Sequence, residues 1–104
     1  KIRKGELMKY YNLVFINHSD KEKNYLFQVP LAIRLKAGEK VFADTTQGEV
    51  MGDCVTDSFI VDKYTAEQII VGAGAYKPLK YVIGWAKKQD GYKCIDFRLV
   101  DVPF

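Results

Sequence analysis

The run Tyr10-Tyr11-Asn12-Leu13-Val14-Phe15-Ile16 carries β-favouring apolar side chains at both parities. Successive side chains of a strand point to opposite faces, so a run of this kind is satisfied only where a sheet is covered on both sides. Its length suits a strand and is too short for a buried helix. The chain therefore builds around a buried central strand, and the rest of the sequence reads as the sheet that surrounds it.

After this run, Asn17 to Asn24 holds His18, Ser19, Asp20 and the alternating charges Lys21, Glu22 and Lys23, with nothing apolar to bury, and reads as an exposed hairpin tip. Tyr25 to Val29 predicts a second strand, ended by Pro30, which cannot donate to a ladder. Leu31, Ile33 and Leu35 alternate with Ala32, Arg34 and Lys36, which predicts a strand with one wet face, closed by the turn Ala37-Gly38-Glu39-Lys40. Val41 to Thr45 and Glu49 to Val61 predict two hairpin arms around Thr46-Gln47-Gly48. In the second arm Met51, Val55, Phe59 and Val61 share a parity with Asp53 and Asp57, and a bulge near Gly52 would restore the alternation.

Thr65-Ala66-Glu67-Gln68 has the spacing of a capping box and predicts a helix of about two turns, stopped by Gly72 and Gly74, with Pro78 barring its continuation. Leu79 to Trp85 and Lys93 to Val102 predict a last hairpin turning at Asp90-Gly91, with Ile95, Phe97 and Leu99 on one face. Ten Val, eight Ile, seven Tyr and six Phe support a strand-rich chain. The expected fold is mainly β: a small antiparallel β-barrel or strongly bent sheet of about seven strands with one short helix, as a single domain over residues 1–104. Met8 precedes the first strand, so Lys1 to Leu7 read as a leader.

The succession from Leu35 to Val55 resembles the strand, glycine turn, strand, Thr-x-x-Gly turn, strand pattern of small SH3-like barrels. Similar segments occur in the N-terminal domain of primosomal helicases and in the polymerase-suppressor type domain of some bacterial cytoplasmic proteins. The resemblance implies tight turns at Gly38 and Gly48 and inward-pointing Val41, Val50 and Val55. It implies no functional residue, because Asn17 to Asn24, the Thr65 helix and the Trp85 hairpin lie outside the pattern.

The formal net charge of +3 divides along the chain. Residues 1–40 carry nine Lys or Arg against four Asp or Glu, residues 41–75 one against six, and residues 76–104 six against three. The acidic side chains Asp44, Glu49, Asp53 and Asp57 cluster on one hairpin without a calcium-loop spacing, and read as a face for a basic partner. The last third interleaves rings with ammonium groups: Lys77, Lys80, Tyr81, Trp85, Lys87, Lys88 and Tyr92, flanked by Tyr76, Lys93 and Arg98. Rings that stack bases beside charges that neutralise phosphates suit single-stranded nucleic acid, while the parity of Tyr81 and Trp85 with Leu79 and Ile83 suits the core-facing side of a strand.

Catalytic signals are incomplete. His18 is the single histidine and reads as a surface residue, so neither a triad nor a zinc site has its partners. Cys54 and Cys94 lie in alternating apolar stretches and read as reduced, buried thiols rather than nucleophiles or a disulfide framework. Val71-Gly72-Ala73-Gly74-Ala75-Tyr76-Lys77 has two glycines of a dinucleotide loop, but Lys77 replaces the third and no helix follows to receive a phosphate. No cofactor or metal is implied, and no apolar run approaches the ~20 residues of a membrane-spanning helix. The expectation is a cytoplasmic, non-enzymatic module that binds a protein partner or a second copy of itself. Single-stranded nucleic-acid binding is the alternative, and a small enzyme the second.

Overall fold

The structure is a computed structural model that describes residues 9–18 and 22–100. The leader expected at Lys1 to Leu7 and the end of the last expected strand, toward Val102, lie outside the described residues. Seven strands and a helix follow in the order β1 (Tyr10–Asn17), β2 (Asn24–Val29), β3 (Lys40–Thr45), β4 (Gly48–Cys54), β5 (Phe59–Asp62), α1 (Lys63–Ala73), β6 (Val82–Lys88) and β7 (Tyr92–Asp96), and a 3-10 turn covers Phe97–Val100. The strands form one antiparallel sheet in the order β2-β1-β4-β3-β6-β7, with β5 also on β1. The sheet bends strongly and, among the described residues, does not close into a barrel. Its two arms meet at one isolated parallel bridge, Gln28 with Tyr81.

β1 is the central strand. One edge pairs with β2 along its length from Asn12 to Asn17, and the other is shared. Tyr10 to Leu13 pair with β5, whereas Ile16 and Asn17 pair with Cys54 and Asp53 of β4. Both faces are dry. Val14 and Ile16 enter a cluster with Phe27, Val29, Ile33, Leu35, Val41, Ala43, Cys54, Val82 and Phe97 inside the bend. Leu13 enters a second cluster with Leu26, Ala66 and Ile70, so the helix covers the outer face of β1 and β2. Burying a side chain of Leu or Phe size contributes about 1.5–3 kcal/mol, so β1 ties two separate cores together.

Several local expectations change. Leu31 to Leu35 is not a strand, although Ile33 and Leu35 are buried as the alternation requires. Side chains hold its backbone instead of a ladder. The buried Asn12 amide donates to the carbonyls of Pro30 (3.0 Å) and Ile33 (2.6 Å), and the Leu35 amide donates to Ser58 Oγ at 2.9 Å. The irregularity expected near Gly52 lies at Val55 to Ser58, where β1 changes partners and the Val55 amide donates to the Phe15 carbonyl. Gly52 itself pairs regularly with Val41. A Cβ there would stand 2.5 Å from Ile16 Cγ2 and 2.9 Å from the Asn17 carbonyl oxygen, so the glycine serves the close approach of β1.

The helix is longer than the capping box implies, 11 residues from Lys63, with Gly72 inside it. Asp62 caps it, its carboxylate accepting from the Thr65 amide at 2.7 Å, and Gly74 ends it at φ 65°. The turns at Gly38 and Gly48 take φ of 94° and 95°. Val41 is buried and Val50 half-buried, but Val55 is exposed, because it sits where the strand breaks. The last strand stops at Asp96 and tightens into the 3-10 turn, which buries Phe97 and leaves Leu99 exposed.

Gly52→Ala is expected to cost about 1–3 kcal/mol because neighbouring backbone must move. Gly72→Ala, with open space around the new Cβ, is expected to stabilise by about 0.5–1 kcal/mol. Urea denaturation measures both, as shifts in midpoint at unchanged slope. A neutral Gly52→Ala would contradict the packing described for β1.

Candidate functional site

The two arms of the sheet are joined by a single strand's width. At the bridge, the Gln28 amide donates to the Lys80 carbonyl at 2.9 Å on one side, and the Asp44 amide donates to the Tyr81 carbonyl at 3.0 Å on the other. Residues 80 and 81 thus fill the space between β2 and β3. Toward the N-terminus of β2 this filling ends, because the chain turns away at Pro78, which has no amide hydrogen to offer. Below it a groove of about 640 Å³ opens between Asn24–Phe27, the β3–β4 turn and residues 73–80.

The walls of the groove are largely apolar and aromatic: Tyr25, Leu26, Phe27, Val50, Ala75, Tyr76 and Leu79. Phe27 belongs to the inner cluster and Leu26 to the cluster under the helix, so the groove gives access to the margins of both. His18 lies over Tyr25 and edge-on to Phe27, with ring centroids 6.0 and 5.8 Å away, and its Nδ1 is 3.3 Å from the Met51 carbonyl oxygen. It is half-buried and packs in the wall rather than standing free in a turn. Lys23 sits 5.1 Å from the Tyr25 ring centre, and Lys80 and Asp44 complete the charged rim. Tyr76, 91% exposed, stands at the lip.

One edge of the groove is main chain. Gln28 turns its amide away from β1, and alternation of an antiparallel ladder turns Leu26 and Asn24 the same way. Among the described residues no hydrogen bond reaches the outward amides of Leu26 and Asn24.

The structure divides the residues singled out in the sequence. Of the acidic four, Asp53 pairs with Lys40 at 2.7 Å, and the Asp57 carboxylate accepts from the Ala37 amide at 2.9 Å, so both serve the fold. Asp44 and Glu49 face each other in register at the end of the β3–β4 hairpin, both exposed. Of the basic and aromatic seven, Lys77 pairs with Glu67, and Lys80 and Tyr81 lie at the groove end of β6. Lys87, Lys88 and Tyr92 lie at the opposite end, about 23 Å along the strand at ~3.3 Å per residue. Trp85 is half-buried, its ring edge-on to Phe97 at 4.6 Å, and it packs against the inner cluster. The seven do not form one surface, because an extended strand carries its two ends apart.

Neither thiol lines the groove. Cys54 is buried; desolvation first, then the charges of Glu39 and Asp53, push its thiol up to about 12, so it stays protonated near neutral pH. Burial also raises Cys94, with Glu49 and Asp96 adding to the effect. The side chain of Arg98 holds the Asp96 carboxyl down at about 2, an exposed contact that shapes the 3-10 turn. Among the described residues no three His, Cys, Asp or Glu side chains gather as a metal site would require, and no helix is long and apolar enough to cross a membrane. A second cavity, about 510 Å³, lies beyond Tyr81 and is lined by Tyr10, Gln28, Leu31 and Asn12. Asn12 Oδ1 is buried there without a donor among the described residues. Comparison with protein-family descriptions, curated proteins and solved structures finds no match to the chain.

Proposed function

We propose that the protein is a cytoplasmic binding module that takes a segment of a protein partner into the groove between β2 and the β3–β4 turn, and acts by binding rather than catalysis. The observation that carries this reading is the lining: Tyr25, Val50 and Leu79 line it beside Phe27 of one core and Leu26 of the other, next to outward main-chain groups of Leu26. Apolar walls with a few placed polar groups favour recognition, and here His18 packs in the wall while Lys23, Asp44 and Lys80 make the charged rim. The unbonded Cys54 and Cys94 support a reducing compartment. Selection of a displayed random heptapeptide library on the protein is expected to enrich sequences with adjacent apolar residues. Tyr25→Glu at the exposed edge of the groove is expected to weaken the enriched peptides at least about tenfold. No enrichment, or enriched peptides indifferent to Tyr25→Glu, contradicts the reading.

A second reading concerns the far end of the sheet. Lys87 and Lys93 face each other in register, with Lys88 and Tyr92 paired beside them. Like charges directly opposite cost stability, a cost that a bound polyanion removes, which supports single-stranded nucleic acid as a partner there. A labelled oligothymidylate is expected to bind at low salt, with affinity falling steeply as salt rises, and Lys87→Glu with Lys88→Glu to weaken it about tenfold. Absence of binding at low salt removes this reading.

A further inference from the structure

We infer that the groove's occupant enters as an added β-strand: an extended segment with two adjacent apolar residues and acidic flanks. It pairs its main chain with the outward groups of Leu26 and Asn24. The inference rests on the groove being the binding site and states how that site recognises its partner.

The first argument is continuity. Residues 80 and 81 already lie as a strand between β2 and β3, held by the Gln28 to Lys80 and Asp44 to Tyr81 hydrogen bonds. They run parallel to β2, so the part of the slot that no described residue fills prolongs their line past Leu26 and Asn24. A sheet spaces its strands about 4.8 Å apart, so the slot has the width of one strand where residues 80 and 81 bridge it. The second argument follows from that width. The β3–β4 turn and residues 73–80 wall the slot, so a strand still joined to its own sheet, such as β7 of a second copy, brings a neighbour that does not fit. The occupant is a free, extended segment.

The side-chain requirement follows from alternation. One residue of an inserted strand points toward Phe27 of the inner cluster and the neighbouring groove wall at Val50, and the next toward Leu26 and Leu79 of the other cluster. Both positions are apolar, so the recognised pair is consecutive. The rim carries Lys23 and Lys80 against Asp44, an excess of positive charge that favours acidic residues beside the pair. The β3–β4 turn offers little main-chain competition, since Thr45 Oγ1 donates to the Gly48 carbonyl and accepts from the Gln47 amide.

The test uses blocked hexapeptides Glu-Thr-X-X-Thr-Glu, in which the central pair takes each combination of Val, Leu, Phe and Tyr. They are titrated into the isotope-labelled full chain while amide resonances are followed. The best of them is expected to bind at about 1 mM or tighter and to slow exchange of the Leu26 amide. Methylating the peptide's backbone nitrogens one at a time is expected to weaken binding about tenfold at alternate positions and little at those between. Equal tolerance at every position, with binding still lost in Tyr25→Glu, overturns strand addition and leaves the groove as the site. Silence of the groove resonances across the whole panel at that concentration overturns both.

Discussion

The fold depends on the demand that β1 be paired along both edges and covered on both faces. Val14 and Ile16 need the inside of the bend, and Leu13 needs the helix. A flat sheet of this size would leave one face of β1 wet. The chain meets the demand by splitting β1's second edge between β4 and β5, with Val55 to Ser58 as the joint. That joint turns β4 inward and lets β3 and β6 curl back toward β2. Among the described residues the curl stops one strand short of closure, and the slot beside β2 is its direct consequence. Gly52 belongs to the same constraint, since a side chain there would push β1 away from β4.

Much of this architecture is legible from residue pattern. The doubly apolar Tyr10 to Ile16 marks the central strand, Pro30 follows the end of β2, and Asp90 and Gly91, both with positive φ, make the last hairpin turn. The failures share a cause. Leu31 to Leu35 alternates like a strand and buries two of its three large side chains, but its backbone is held by Asn12 and Ser58, which come from distant parts of the chain. The helix begins at Asp62 rather than Thr65 because the carboxylate at the end of β5 is placed to accept from the Thr65 amide. A capping spacing is visible in sequence, but the competing cap depends on where the preceding strand ends.

The groove is less legible than the fold, for a physical reason. Its walls come from separate stretches, β2, the β3–β4 turn and residues 73–80, and one edge is main chain of Leu26 and Asn24, which carries no signature in side-chain type. The charge pattern along the chain does not mark the groove. The acidic side chains that look like one face are divided between Lys40 and the Ala37 amide on one hand and an exposed hairpin end on the other. The aromatic residue that stands out most, Trp85, packs against Phe97, whereas Tyr25 and His18, which the pattern places on an ordinary strand and a polar turn, form the wall.

Amide hydrogen exchange along β2 tests most directly whether the sheet stops one strand short of closing. The account predicts alternation: Tyr25 and Phe27, turned toward β1, and Gln28, held by Lys80, exchange slowly, while Leu26 exchanges orders of magnitude faster. Protection of Leu26 equal to that of Phe27 in the isolated monomer would mean that the slot is already filled, and the account of this protein as a sheet with one vacant strand position would be wrong.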